Sequence, residues 1–143
     1  MAIIRKGEAH WSGSLTEGSG RVKGASGAVD APYSVKSRTA DGPGTNPEEL
    51  IAAAHAGCYS MMLSALLSGA GKPPASIDTV AAVHMELLNP GIKISKIVLT
   101  TKASVPGLTA AEFADVADNA KKNCPVSVAL SAVPIELTAT LVE

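Results

Sequence analysis

Aromatic side chains are nearly missing from these 143 residues, at one Trp, two Tyr and one Phe, or 3% of the chain. The core must therefore be built from Ala, Val, Leu, Ile and Met. Charge is scarce too, at 17% against the roughly 25% usual for soluble domains. A chain with so little polar surface is poorly suited to a free monomer, and burial against a second copy is expected. The net charge is −1 and no basic run occurs, which argues against a nucleic-acid or anionic-membrane partner.

The opening Met1-Ala2-Ile3-Ile4-Arg5-Lys6 lacks the apolar run of a signal peptide. Residues 1–143 are expected to form a single domain in the reducing cytoplasm. The one membrane-like stretch, Leu50 to Leu67, is interrupted by His55, Gly57, Cys58, Ser60 and Ser64 and has no basic flanks. A spanning helix wants about 20 nearly unbroken apolar residues with Lys or Arg beside them. The stretch reads as a buried helix and not as a membrane span. With only two cysteines in a reducing compartment, a permanent disulfide is not expected, and any disulfide would be transient and chemical.

The first forty or so residues are Gly- and Ser-rich, with short β-type pieces at Ala9–Trp11, Arg21–Lys23 and Tyr33–Ser37. A long helix then starts at Asn46 as N-cap, with Pro47 in the first helical position and Glu49 completing a capping box. It stops at Gly69-Ala70-Gly71, before Pro73-Pro74. Apolar residues line nearly all its faces, so it is expected to be central. Two β-branched runs, Thr79–Leu88 and Ile92–Val105, flank the turn Asn89-Pro90-Gly91, and a change of phase predicts a bulge near Ser95-Lys96. A second helix opens at Thr109 with Glu112 closing its capping box, and carries a stripe of Phe113, Val116, Ala117 and Ala120. Cys124, eleven positions after Phe113, returns to within about 20° of that face. A helical turn at Ser127–Leu130 and a final alternating strand at Ile135–Leu141 complete an α+β order, without internal repeats.

Two cysteines admit three readings. They can be small buried hydrophobes, a zinc half-site, for which no partner of ligand spacing is present, or a redox pair. An apolar helix disfavours the thiolate of Cys58, which becomes reactive only if a cation is brought to it. Glu48 reads first as a first-turn acid. His55, three residues before Cys58, fits a Cys-His nucleophile pair, but reads more simply as a polar residue tolerated on a buried helix. Met61 and Met62 fill a core, line an apolar pocket, or do both.

The run Thr45-Asn46-Pro47-Glu48-Glu49-Leu50-Ile51-Ala52-Ala53-Ala54-His55-Ala56-Gly57-Cys58-Tyr59-Ser60 resembles the signature segment of the osmotically inducible protein family, OsmC. The sister group is the organic hydroperoxide resistance proteins, Ohr. Cys124-Pro125-Val126-Ser127 resembles the family's second motif, and the likeness spans essentially the whole chain. It implies an OsmC-like fold, antiparallel sheets wrapped around long central helices in an intertwined homodimer. It also implies a thiol peroxidase without metal or bound cofactor, acting on small organic hydroperoxides and less efficiently on hydrogen peroxide. Carried over by residue, Cys58 is the peroxidatic cysteine, Cys124 the resolving one, and Glu48 the acid partner. Arg38, twenty residues before Cys58, matches the arginine of the OsmC branch, while Arg21 stands where the sister group takes its own. Met61, Met62, Leu66 and Leu67 are candidates for an apolar substrate lining. A dithiol such as a lipoyl group is the reductant by the same analogy. The competing classes are a Cys-His hydrolase using Cys58 and His55, and a non-enzymatic stress-binding protein. Glu48 and Cys58 lie ten positions apart on one helix, about 15 Å along its axis and about 80° around it. If both serve one site, Glu48 comes from a second copy.

Overall fold

The glycine-punctuated N-terminal stretch forms a three-stranded antiparallel sheet in the computed structural model, which describes residues 1–143. Strands β1 (Gly7–Ser12), β2 (Ser19–Gly24) and β3 (Asp30–Tyr33) lie in sequence order. They belong to the first of two compact units, Met1–Leu50 and Ile51–Glu143. Gly20 stands in register between Trp11 and Tyr33. A Cβ there would lie 2.5 Å from the Tyr33 ring, so only glycine lets that ring cross toward Trp11. The two ring centroids are 5.3 Å apart.

Tyr33–Ser37, expected as a strand, is strand only at Tyr33. The chain turns at Ser34 into the short helix α1 (Val35–Thr39). The Ser37 N–H donates to Ser34 Oγ at 3.1 Å and the Ser34 N–H donates to Ser37 Oγ at 2.9 Å. This serine capping box gives the backbone a local alternative to the sheet. Asn46 caps the long helix α2 (Pro47–Gly69), its Oδ1 accepting the Glu49 N–H at 2.8 Å. The reciprocal half of the expected box goes elsewhere, since the Glu49 carboxylate accepts from the Thr45 hydroxyl at 3.4 Å. Thr45 is itself tied back by its N–H to Pro32 O (2.9 Å) and by its carbonyl, which accepts from Ser37 Oγ (2.7 Å).

In the second unit α2 packs with a sheet of order β4 (Ser76–Leu87), β5 (Ile92–Ser104), β6 (Ile135–Val142). The β4–β5 hairpin turns at Asn89-Pro90-Gly91, where Leu88 N–H donates to Gly91 O. The bulge is where the change of phase placed it: His84 faces Lys96 and Met85 faces Ile94, leaving Ser95 as the extra residue. The expectation of purely antiparallel sheets needs correction, because β6 runs parallel to β5 from Ile97↔Ile135 to Ser104↔Val142. The crossover that allows this is α3 (Ala110–Asn123) with α4 (Pro125–Ala129). Thr109 and Glu112 make the expected capping box of α3.

The core unites Tyr59, Leu63 and Leu67 of α2, Leu99 and Ala103 of β5, and Phe113, Ala117 and Ala120 of α3. Each large side chain buried here contributes about 1.5–3 kcal/mol, an upper value because unfolded chains are already partly compact. On α2 the buried stripe is His55, Tyr59, Leu63 and Leu67, one residue per turn. The opposite face, Ala53, Ala54, Gly57, Met61 and Ala65, is open and apolar. A single chain therefore covers one side of a helix whose composition suits burial on both. By length and composition α2 could also cross a membrane, but its stripe is the spine of this core.

Candidate active site

Cys58 sits in the middle of α2 and is half-buried, whereas Cys124 is fully buried. Cys124 occupies the corner between α3 and α4, ending one helix by donating its N–H to Ala120 O and preceding Pro125, the first residue of the next. Proline there is pre-organised for a helix start, which begins α4 at Pro125 and not at Ser127 as expected. The corner turns the Cys124 side chain onto α2, and the two sulfurs stand 3.2 Å apart. Burial pushes the Cys58 thiol up, and although the Val126 N–H works the other way, the neighbouring Cys124 pushes it further. Cys124 is also penalised by burial. The N–H of Ser127, the Cys58 thiol, the Ser127 hydroxyl and the Val126 N–H outweigh that penalty and bring its pKa down. No cation is among the groups acting on Cys58. Of the two thiols, Cys58 is pushed up by its surroundings, and Cys124, at the start of α4, is brought down.

His55 is completely buried, and its Nε2 meets Ser127 Oγ at 2.7 Å. That bond, made away from Cys58, leaves the Cys58–His55 pairing of a hydrolase unformed. Burial lowers the imidazole pKa, and Nδ1 has no partner. Beside it, Tyr59 donates its hydroxyl to Ala117 O at 3.2 Å, fixing α2 to α3.

In the first unit Arg38, at the end of α1, makes a two-pronged contact with Glu48. Its Nη2 donates to Oε1 at 2.6 Å and its Nε donates to Oε2 at 3.1 Å. Burial on its own would raise the Glu48 carboxyl, but the guanidinium holds it below its ordinary value, while Glu48 raises Arg38. Asn46 Nδ2 donates to Ser37 O at 3.0 Å and so locks the neighbouring residue of α1 to the start of α2. The second arginine candidate, Arg21, is half exposed on β2 and bonded to Asp30 at 2.6 Å. Arg38 also lines a cavity of about 290 Å³ together with Trp11, Leu15, Tyr33, Val35 and Pro47.

The four lining candidates do not share a surface. Leu67 is a core residue with no exposed area, Met62 and Leu66 are half-buried, and Met61 is 75% exposed on the open face of α2. No group of three His, Cys, Asp or Glu residues is close enough to hold a metal ion. The residue that sequence reasoning passed over is Ser127. Its only local mark was its place three residues after Cys124, in the first turn of α4.

The chain is similar to known proteins in sequence and in fold. Residues 40–138 match the family model described as OsmC-like protein. Over 133 residues the chain is 46% identical to the peroxiredoxin OsmC of Escherichia coli (strain K12), a match covering 92% of this chain and 93% of that protein. It is 32% identical over 125 residues to an organic hydroperoxide resistance protein of Xanthomonas axonopodis pv. citri, covering 85% of each. Its fold is similar to that of the crystal structure of an OsmC-like protein from Mycoplasma pneumoniae, with a TM-score of 0.77 over 100% of both chains at 15% identity. The chain belongs to the OsmC-like family.

Proposed function

We propose that this enzyme, a cysteine-based peroxidase, reduces organic hydroperoxides to alcohols with Cys58 as the attacking thiol and Cys124 as the resolving one. The Cys58 thiolate attacks the outer peroxide oxygen, the O–O bond breaks, and the alkoxide takes a proton to leave as the alcohol. Cys58 is left as a sulfenic acid. Cys124 then displaces its hydroxyl as water, forming a disulfide that an external dithiol, such as a lipoyl group, reduces. The observation that carries this reading is the 3.2 Å approach of the two sulfurs. Exposure supports the order of events: half-buried Cys58 can meet a peroxide, and fully buried Cys124 can meet only another sulfur.

Burial pushes the Cys58 pKa up, so the first step requires a cation. Arg38, held in a fork by Glu48, is the group we assign to it, donated by a second copy in a homodimer. The guanidinium would favour the thiolate and stabilise charge on the leaving oxygen. Met62 and Leu66, half-buried one and two turns beyond Cys58 on α2, would line the approach of an alkyl group, in a reducing cytoplasm. The test is peroxide consumption with a dithiol present, using an alkyl hydroperoxide and hydrogen peroxide in parallel. Stoichiometric alcohol formation with a Cys58 sulfenic acid trapped by a cyclic 1,3-dione is expected, and an inert wild-type protein would overturn the reading.

A further inference from the structure

His55 has no exposed surface and lies in a stripe of α2 otherwise filled by Tyr59, Leu63 and Leu67. Its Nδ1 has no partner, and an orphan buried nitrogen costs stability that a leucine there would not. Its one side-chain bond, between Nε2 and Ser127 Oγ at 2.7 Å, reaches α4. Ser127 is the single buried residue of that helix. Pro125, Val128 and Ala129 are exposed, and apolar packing of α4 on the core is left to half-buried Val126. The polar bond is thus the directional attachment of α4 to α2. Two contacts join these elements with the same spacing. Cys58 meets Cys124 at 3.2 Å, and three residues away on each side His55 meets Ser127. The steps go back along α2 and forward along α4, so α4 runs antiparallel to this stretch of α2. Cys124 moves with α4, because its N–H donates to Ala120 O at 2.8 Å and its carbonyl accepts the Val128 N–H at 3.0 Å.

We propose that the His55–Ser127 bond positions Cys124 for disulfide closure, an inference that rests on the peroxidase reading above. In that step the Cys124 sulfur bonds to the Cys58 sulfur and the S–O bond of the sulfenic acid breaks. The hydroxyl leaves with the thiol proton as water, and nothing else is oxidised or reduced. The sulfurs close from 3.2 Å to about 2.05 Å, so the corner yields about 1 Å. A bond three residues from the sulfur on both elements limits rotation of the corner while leaving it that short approach. Delay exposes the intermediate. Half-buried Cys58, waiting as a sulfenic acid, can meet a second peroxide and pass to the sulfinic acid, which thiols do not reduce. His55 and Ser127 are positioning residues that act through the backbone of Cys124, and neither gains or loses a proton.

The test is a single turnover with one equivalent of an alkyl hydroperoxide, following peroxide loss, trapped Cys58 sulfenic acid and disulfide by mass. The ratio of sulfinic acid to disulfide is then read in excess peroxide. The proteins are wild type, His55→Leu, Ser127→Ala and the double variant. Closure should slow about ten-fold in each single variant, the effect that one neutral hydrogen bond can exert. Peroxide loss should keep its wild-type rate while sulfinic acid rises. The double variant should be no slower than either single one, since the same bond is lost in all three. With both partners apolar it leaves no orphan group, so it should unfold at no lower temperature than wild type and still close slowly. Closure of the double variant at the wild-type rate overturns the proposal. So does slowing equal to the product of the two single effects, because each residue then acts on its own. Slow closure together with a lower unfolding temperature overturns it too, the loss then being one of packing. If wild type forms no sulfenic acid, the peroxidase reading itself fails and takes the positioning role with it.

Discussion

Cys58 and Cys124 are 66 residues apart in sequence and 3.2 Å apart at sulfur. They reach that separation from unlike settings, one in mid-helix and one at a helix–helix corner, and their exposure differs accordingly. On the proposed mechanism, that difference gives them separate roles. Cys58→Ser should abolish peroxide reduction. Cys124→Ser should still reduce one equivalent and then stall as a sulfenic acid or a higher oxide. Rapid-mixing measurement of peroxide loss checks this, and equal loss of the first turnover in both variants would contradict it.

The proposed preference for alkyl hydroperoxides rests on Met62 and Leu66, half-buried on α2 beyond Cys58. Each buried methylene contributes about 0.8 kcal/mol, so an alkyl group of a few carbons supplies a ten-fold or greater advantage in kcat/KM over hydrogen peroxide. A Met62→Ala protein should lose part of that advantage with the alkyl substrate while its hydrogen peroxide rate changes little. Equal efficiency of the wild type with both peroxides would count against an apolar approach.

The long elements were legible because their ends are chemical signals: Asn46 before Pro47, Thr109 before Glu112, Asn89-Pro90-Gly91 between two β-branched runs. The Ser95 bulge was legible as a slip in side-chain phase. The helix α1 was not, since Tyr33 and Val35 have strand propensity and the reciprocal Ser34–Ser37 bonds depend on a cap that composition does not announce. Nor was the parallel β6, whose direction is set by packing of the α3–α4 crossover and not by its own alternation. In the site, the two sulfurs were legible as a pair of motifs. The His55–Ser127 bond joins positions 72 apart, and nothing local links them.

Two arginines compete for the role of activating cation, and their partners separate them. Arg38 makes a fork with the nearly buried Glu48, whereas Arg21 pairs with Asp30 in the open. Exposed pairs contribute little. Arg38→Ala should raise the Cys58 pKa and slow its oxidation about 10²-fold, and Arg21→Ala should do neither, as read by pH-dependent alkylation of Cys58. The Arg38–Glu48 contact has its own acid limit. Glu48 titrates below the ordinary carboxylate range despite burial, because Arg38 holds it ionised. A depressed carboxyl contributes stability that is complete above its unfolded value and is lost as pH falls through the folded one. Thermal unfolding should therefore shift less between neutral and acid pH in Glu48→Gln than in wild type, and an identical shift would mean that the contact is not formed.

The last expectation is that one chain cannot complete the site. Glu48 and Cys58 both belong to α2, a helix without interruption from Pro47 to Gly69. Ten positions at 1.5 Å each place them about 15 Å apart along the axis and about 80° around it, too far for both to serve one small peroxide. Arg38 is tied to Glu48, so the two enter a site together. The apolar face of α2, with Met61 75% exposed, is left open by its own chain, and a second copy is the simplest cover for it. The expected enzyme is a homodimer with two composite sites, each taking Cys58 from one protomer and Arg38 with Glu48 from its partner. Inactive Cys58→Ser and Glu48→Ala subunits, unfolded together and refolded, test this directly. In the heterodimer one site holds both intact residues and the other holds neither, so activity should return toward half of the wild-type value per heterodimer. If mass analysis confirms the heterodimer and no activity returns, both residues must act within a single chain and the composite arrangement is wrong.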